Sequence, residues 1–367
     1  MSNPRLPRPE ELDDLDRLLA VCFGYEPDES TRREGRRSRP VSGEGRIIAV
    51  DGKPVSHIRI VYNHLSVQGA KIKTAGFGGV CTHPDYRGRG IATTLLNHCI
   101  GETAAAGARL LIISGERGLY RRAHAMSVGP VWKMDLRHGS EDGDPRLTAR
   151  RAAAPDWPVL SSLHQAESVR FVRAAEFFSR AASTGHRHIW LIEHGARPVA
   201  YLCLSRIWGL PHGARVRVLG EYGGARSAIV AGLHAVFLAS GLTEIKLEFP
   251  SHDRELAYLY GCRGVGMRAG TIRGHTMRLL DLPGLMRDLR PYLAARLPRQ
   301  QLRQLSFDQR GETCVFSSAS QQTHMDLSHA ASFILGGPGA PKVRGGLGDV
   351  LSLIFPIPLP MPGLNYV

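Results

Sequence analysis

The residues with the clearest chemical potential are Arg87-Gly88-Arg89-Gly90, a basic, glycine-rich turn. Before it, a run of small and apolar residues leads into Val80-Cys81-Thr82; after it, Ile91-Ala92-Thr93-Thr94-Leu95-Leu96 opens an amphipathic helix. A strand, a glycine turn and a helix start aim several backbone N–H groups and the positive end of a helix dipole at one spot. That spot suits an anion, most simply a pyrophosphate. Arg87 and Arg89 add charge, and Gly88 and Gly90 let a ligand come close to the backbone.

The elements that must hold this turn can be read around it. Leu12, Leu15, Leu18, Leu19 and Cys22 recur at helical spacing, predicting a helix that runs to about Phe23. Asp51-Gly52-Lys53 between two apolar runs predicts a hairpin, followed by a strand over about 65–82 that turns near Gln68-Gly69. Ala108 to Ser114 is a short apolar run, as in a strand buried on both faces. Val131-Trp132-Lys133-Met134 reads as a strand that closes this first unit, and 139–145 reads as a linker. A second unit then repeats the pattern: a hairpin at Glu193-His194-Gly195, a strand over 215–222, the glycine turn Gly223-Gly224-Ala225, a helix over 227–239 and a buried strand over 244–249. From about Thr276 the texture changes to a strand over 277–282, a leucine-spaced helix, a hairpin at Arg310-Gly311, a helix from about Asp326 and a proline-rich apolar tail expected to pack extended on the body.

Whole-chain properties narrow the classes. The chain has 367 residues, enough for two or three domains. A net charge of +14 favours anionic partners without choosing among them, because the arginines are spread along the chain. Six cysteines form no CxxC pair, so neither a zinc site nor a disulfide framework is expected, and no metal is implicated. Reduced thiols in a cytoplasmic protein are the simplest account. The N-terminus lacks the apolar core of a signal peptide, and no apolar run approaches the ~20 residues of a membrane span.

The stretch Val80-x-Thr82-His83-Pro84-x-Tyr86-Arg87-Gly88-Arg89-Gly90-Ile91-Ala92 resembles motif A of the GCN5-related N-acetyltransferases, whose signature R/Q-x-x-G-x-G/A is met by Arg87, Gly90 and Ala92. The chain as a whole resembles the narrower enhanced intracellular survival (Eis) family, with tandem acetyltransferase units and a sterol-carrier-like segment. That resemblance implies a mixed α/β fold: two GNAT units of mostly antiparallel sheets flanked by helices, plus a C-terminal α/β domain. It implies domains over 1–143 (catalytic, acetyl-CoA-binding), 144–272 (a second unit that has lost the motif, with Glu221 to Arg226 in its place) and 273–367 (sterol-carrier-like, with the tail).

It further implies transfer of an acetyl group from acetyl-CoA to a small-molecule or peptide amine by direct attack in a ternary complex. Backbone groups of Val80, Cys81 and Thr82 would pair with the pantetheine arm and polarise the thioester carbonyl. Arg87, Gly88, Arg89, Gly90, Ile91, Ala92 and Thr93 would hold the pyrophosphate. Family members carry a tyrosine near the departing sulfur; Tyr120 matches it, and His124 and Ala125 replace the Gly-Phe pair that follows. Tyr120 is therefore the expected acid, with His124 as runner-up. The family's base is its terminal carboxylate, here that of Val367. The acidic group Glu26, Asp28 and Glu29 lies where substrate-binding residues fall. Cys81 is expected to act through its backbone, having no paired histidine at a telling spacing. Nucleic acid is not an expected partner, and self-association stays open. The competing reading is a non-catalytic module that binds CoA, lipid or nucleic acid through a vestigial site.

Overall fold

The computed structural model describes residues 2–24, 43–139, 143–182, 187–207 and 214–365. In chain order the first stretch gives helix α1 (Leu12–Phe23), strands β1 (Glu44–Val50), β2 (Lys53–Val67) and β3 (Ala70–Thr82), helix α2 (Ile91–Ala105), β4 (Leu110–Ser114) and α3 (Gly118–Arg122). Next come β5 (Pro130–Arg137), β6 (Leu147–Arg151), α4 (Trp157–Gln165), β7 (Val169–Phe171), α5 (Phe177–Ala182), β8 (Arg187–His194), β9 (Arg197–Arg206), β10 (Val216–Gly224), α6 (Arg226–Ser240), β11 (Glu244–Pro250), α7 (Arg254–Gly261) and β12 (Arg268–Thr271). The last stretch holds β13 (His275–Leu279), α8 (Leu282–Asp288), α9 (Arg290–Ala294), α10 (Arg299–Gln304), β14 (Ser306–Arg310), β15 (Thr313–Ser317), β16 (Gln322–Asp326), α11 (Leu327–Leu335) and α12 (Gly345–Ser352).

The fold is mixed α/β, with mostly antiparallel sheets flanked by helices. The first sheet runs β1-β2-β3-β4-β13, with β7 added to the far end of β2; the second runs β12-β5-β11-β10-β9-β8-β6; the third is β14-β15-β16. Each large sheet contains one parallel pair, β3 with β4 and β10 with β11, joined by α2 and α6 respectively. The β1–β2 hairpin turns at Asp51 (φ 50°) and Gly52 (φ 78°), the left-handed pair that a two-residue turn requires.

The two large sheets exchange strands. The strand at 131–134, expected to close the first unit, forms as part of β5 but pairs with β11 and β12 in the second sheet. The edge of β4 is covered instead by β13, from beyond the second unit. Apolar alternation marks a strand but not its partner, so the local pattern reads the element correctly and its sheet wrongly.

The first sheet is covered on both faces. On one, Ile91, Leu95, Leu96 and Cys99 of α2 pack with Leu111 and Ile113 of β4. On the other, Leu110 and Ile112 join the core of the C-terminal region, and Leu15, Leu18 and Leu19 of α1 cover Ile47 and Cys81. This two-sided burial is why β4 is apolar at every position from 110 to 113. The C-terminal core also takes the tail: Ile354, Ile357 and Leu359 are buried, and the Phe355 ring lies 5.5 Å from Phe333. Among the described residues no helix is long and apolar enough to cross a membrane.

Candidate active site

The basic turn sits where the first sheet opens. β3 pairs with β4 only from Thr74 to Phe77, opposite Leu110 to Ile113. β3 continues to Thr82 along β2 alone, so among the described residues its other edge has no strand partner from Gly78 on. The divergence coincides with a bulge. Arg59 faces Gly78 and His57 faces Cys81, so Gly79 and Val80 together oppose Ile58. Gly79 has φ +60°, and a Cβ there would lie 3.2 Å from the His57 ring, whose Nδ1 is 2.8 Å from the Gly79 carbonyl oxygen. Val80 faces the core under α2, Cys81 faces α1, and the Thr82 hydroxyl lies 3.0 Å from that of Ser56.

From Thr82 the chain enters a 3-10 turn at Pro84–Tyr86 and then the glycines. Arg87 Nε donates back to the Thr82 carbonyl (3.2 Å), and Arg89 Nη2 donates to the Asp85 carbonyl (2.9 Å) with its guanidinium over the Tyr86 ring. These bonds shape the loop and leave both guanidiniums exposed. Gly88 (φ +76°) and Gly90 (φ +77°) take the left-handed conformation, and a Cβ on either would meet nothing within 4 Å. Gly90 caps α2 without a side chain, and the first turn carries no acidic residue. Among the described residues the N–H groups of Ile91, Ala92 and Thr93 therefore open the helix with no side-chain acceptor, beside the exposed guanidiniums of Arg87 and Arg89. The arrangement offers an anion backbone donors, a helix start and two guanidiniums at one place.

Tyr120 is 1% exposed, within the apolar cluster that also holds Val80, Ile91, Leu95 and Ile113. A Cβ at Gly115 would lie 3.3 Å from its ring and 4.0 Å from its hydroxyl oxygen. Gly115 lies two residues past Ile113, the last residue of β4 paired with β3, so Tyr120 packs beside the end of β4, just beyond the point where the two strands part. His124 is drawn elsewhere. It holds φ +55°, its Nδ1 is 3.0 Å from the Ser328 hydroxyl, and its Nε2 is 3.2 Å from Glu312. Cys81 also has a partner that spacing could not show: Cys22 of α1, with which its thiol is hydrogen-bonded.

The second unit repeats the geometry and fills it. β10 leaves β11 after Leu219, and Gly220 forms a bulge against β9. At this bulge sits the tail. Leu364 N–H donates to Glu221 Oε2 (2.8 Å), and Gly363 (φ +49°) packs so closely on that carboxylate that a Cβ would collide with it. Arg173 holds Glu221 through two bonds of 2.6 Å and donates from Nε to Asn365 Oδ1 (2.8 Å); Tyr201 donates its hydroxyl to the same carboxylate. Burial alone would raise the Glu221 carboxyl, but the Arg173 charge outweighs it and holds it well below the usual range. Asn365 also reaches Asn63 of β2 (3.3 Å). At the turn, the Glu167 carboxylate accepts from Gly224 N–H (3.0 Å) and from Arg226, which also binds Asp253 (2.8 Å). Spacing did not reveal Glu167, Arg173 or Asp253. The available signal was Arg226 itself, a cation at a helix start, where the dipole disfavours it unless an acid is near.

Val367 lies outside the described residues, as do Glu26, Asp28 and Glu29. The described tail ends at Asn365, bridging the second unit to β2 of the first sheet.

No curated protein matches the sequence. Several solved structures match the fold along nearly the whole chain. A probable N-acyltransferase from Enterococcus faecalis shares 12% identity over 98% of this chain and 97% of its own (TM-score 0.67). A GCN5-related N-acetyltransferase from Anabaena variabilis shares 14% over 97% and 98% (TM-score 0.69). Eis1 from Mycobacterium abscessus shares 14% over the full length of both chains (TM-score 0.66). At such identities the likeness is one of fold. Residues 3–124, which contain α1, the basic turn and Tyr120, match the family model described as an acetyltransferase (GNAT) domain, and the protein is an acetyltransferase carrying that domain in its first third.

Proposed function

We propose that this protein transfers an acetyl group from acetyl-CoA to a primary amine by direct attack within a ternary complex. The observation that carries the reading is the coincidence at one place of an open β3 edge, a bulge at Gly79 and an uncapped helix start beside exposed Arg87 and Arg89. Acetyl-CoA supplies the activated acyl group. The chain's own residues do the rest. Arg87, Arg89, the Gly88–Gly90 backbone and the N–H groups of Ile91 to Thr93 hold the pyrophosphate. The edge of β3 at Val80, Cys81 and Thr82 aligns the pantetheine arm and offers donors where negative charge develops on the carbonyl oxygen. Holding the amine against the carbonyl contributes most of the remaining acceleration.

In this reading Tyr120 delivers a proton to the departing thiolate, supported by its packing against Gly115, just past the end of the β3–β4 pairing. His124 is the weaker candidate, since both ring nitrogens are engaged by the C-terminal region. The terminal carboxylate of Val367 is assigned to orient the ammonium and accept its proton, a role that rests on the resemblance to the Eis family alone. The chain divides functionally into 1–143, 144–272 and 273–367, the last a sterol-carrier-like cap.

The test is thiol release from acetyl-CoA across polyamines, aminoglycosides and lysine peptides. We expect turnover with at least one class, lowered at least tenfold by deletion of Tyr366-Val367 with acetyl-CoA affinity unchanged. Tight acetyl-CoA binding with no turnover on any amine would return the vestigial-site reading.

A further inference from the structure

We propose that Cys22 and Cys81 form a reversible dithiol at the acyl-donor notch, oxidised to a disulfide by a small-molecule disulfide. The pair joins two separate elements. Cys22 lies in the last turn of α1, and Cys81 lies on the stretch of β3 that has no partner on the β4 side. Cys22 packs on the cluster formed by Leu15, Leu18, Leu19, Ile47 and Cys81, and the two thiols are hydrogen-bonded to each other.

Their surroundings give them different roles. Cys22 is half-buried, whereas Cys81 is buried. The hydrogen bond from Cys81 and the charges of Arg87 and Arg117 outweigh burial at Cys22 and bring its thiol down to about 7, so a large fraction is thiolate near neutrality. The same bond and its own burial push the Cys81 thiol well up. Cys22 is therefore the attacking sulfur and Cys81 the resolving one. Three other cysteines, Cys99, Cys203 and Cys314, are fully buried, and burial raises Cys99 and Cys314 to about 12. Cys262 is exposed just past the end of α7 and belongs to no part of this cluster.

The chemistry balances as two exchanges. Cys22 thiolate attacks one sulfur of R–S–S–R, forming a mixed disulfide and releasing R–S⁻. Cys81 then loses its proton and attacks the Cys22 sulfur, forming the Cys22–Cys81 bond and releasing the second R–S⁻. Two protein thiols are oxidised by two electrons, and the small disulfide is reduced to two thiols. The product bolts the end of α1 to β3 beside Val80 and Thr82. We expect it to weaken acetyl-CoA binding at least tenfold, a consequence that rests on the proposed function, as the thiol chemistry does not.

The experiment treats the folded full-length chain with oxidised glutathione, blocks remaining thiols with N-ethylmaleimide in denaturant and maps peptides without reduction. The expected result is one cross-linked species joining the peptides of Cys22 and Cys81, reversed by dithiothreitol, with Cys99, Cys203 and Cys314 alkylated. Cys81→Ser should retain glutathione on Cys22, because nothing resolves it. Alkylation of both Cys22 and Cys81 after oxidation, or a cross-link to a different cysteine, would overturn the proposal, and the wild-type result needs no variant to fold. Acetyl-CoA titration of reduced and oxidised protein is read separately: a cross-link with no acetyl-CoA binding in either form leaves the dithiol standing and removes the proposed function.

Discussion

The chain contains the same device twice: the open copy leaves its turn bare, and the closed copy has its turn and bulge occupied by the protein's own groups, beside a cavity of about 420 Å³ lined by Glu167, Arg173 and Arg226. In both units a strand bulges at a glycine, leaves its parallel neighbour and runs through a glycine turn into a 15-residue helix. In the first unit the turn is Arg87 to Gly90, and among the described residues nothing beyond the chain neighbours stands within 4 Å of a Cβ placed at Gly88 or Gly90. In the second, Glu167 occupies the backbone of Gly224, Arg226 is neutralised by Glu167 and Asp253, and the chain's own tail lies on the bulge. A carboxylate stands where a phosphate would, and a peptide lies beside the splayed strand. The scaffold alone therefore does not make a site. What decides it is whether the protein supplies its own anion and its own chain to fill the positions.

Breaking the open copy has the largest expected effect. Gly90→Glu puts a negative side chain at a left-handed position in the cradle, and acetyl-CoA affinity should fall at least a hundredfold by calorimetry. Arg87→Glu should act in the same direction. Breaking the closed copy should act on stability instead. Arg226→Ala leaves Glu167 and Asp253 without their common partner at a mostly buried site, and should cost about 3 kcal/mol in denaturant unfolding. Acetyl-CoA affinity should stay within twofold.

Between these lies Tyr120→Phe, which removes only the hydroxyl. If Tyr120 is the acid, kcat should fall ten- to a hundredfold with KM for acetyl-CoA nearly unchanged. If it only packs, kcat should hold.

Acidification should act on stability alone. Burial first, and the Arg173 charge second, bring His164 down to about 4 from its ordinary 6.5. Between those values the folded state binds fewer protons than the unfolded one, so stability rises with pH across this window and is lost on acidification. One such site changes stability by up to about 1.4 kcal/mol per pH unit. His188 and His275, both held at about 4 mainly by burial, act with the same sign. Midpoints of urea unfolding should fall from pH 7 to pH 4.5, and His164→Gln should shallow that slope. A Glu221 carboxyl held down by Arg173 adds a loss that sets in as the pH falls through the ordinary carboxylate range and continues toward its lowered folded value.

Much of this was legible in the sequence because it is local. The turn at Arg87 to Gly90, the Asp51-Gly52 hairpin, the buried strand at 110–114 and the tail's packing all follow from short-range spacing, left-handed glycines or apolar content. The repeat was legible as pattern for the same reason. What escaped depends on pairing between distant residues. β5 and β13 carry ordinary strand patterns that do not say which sheet receives them. Glu167, Arg173 and Asp253 are single charged residues whose role exists only once the tail and α6 are packed. Cys81 showed no neighbour able to activate it, because that neighbour lies on α1. That the second turn has lost the motif is legible in residues 221–226; that Glu167, Arg226 and Asp253 occupy it exists only in the fold.

The central claim is that one of the two notches holds the acyl donor and the other does not. Titration calorimetry of the full-length chain with acetyl-CoA tests it most directly. The account predicts one molecule bound per chain, lost in Gly90→Glu and kept in Arg226→Ala; two molecules per chain, or saturable binding that survives Gly90→Glu, would contradict it.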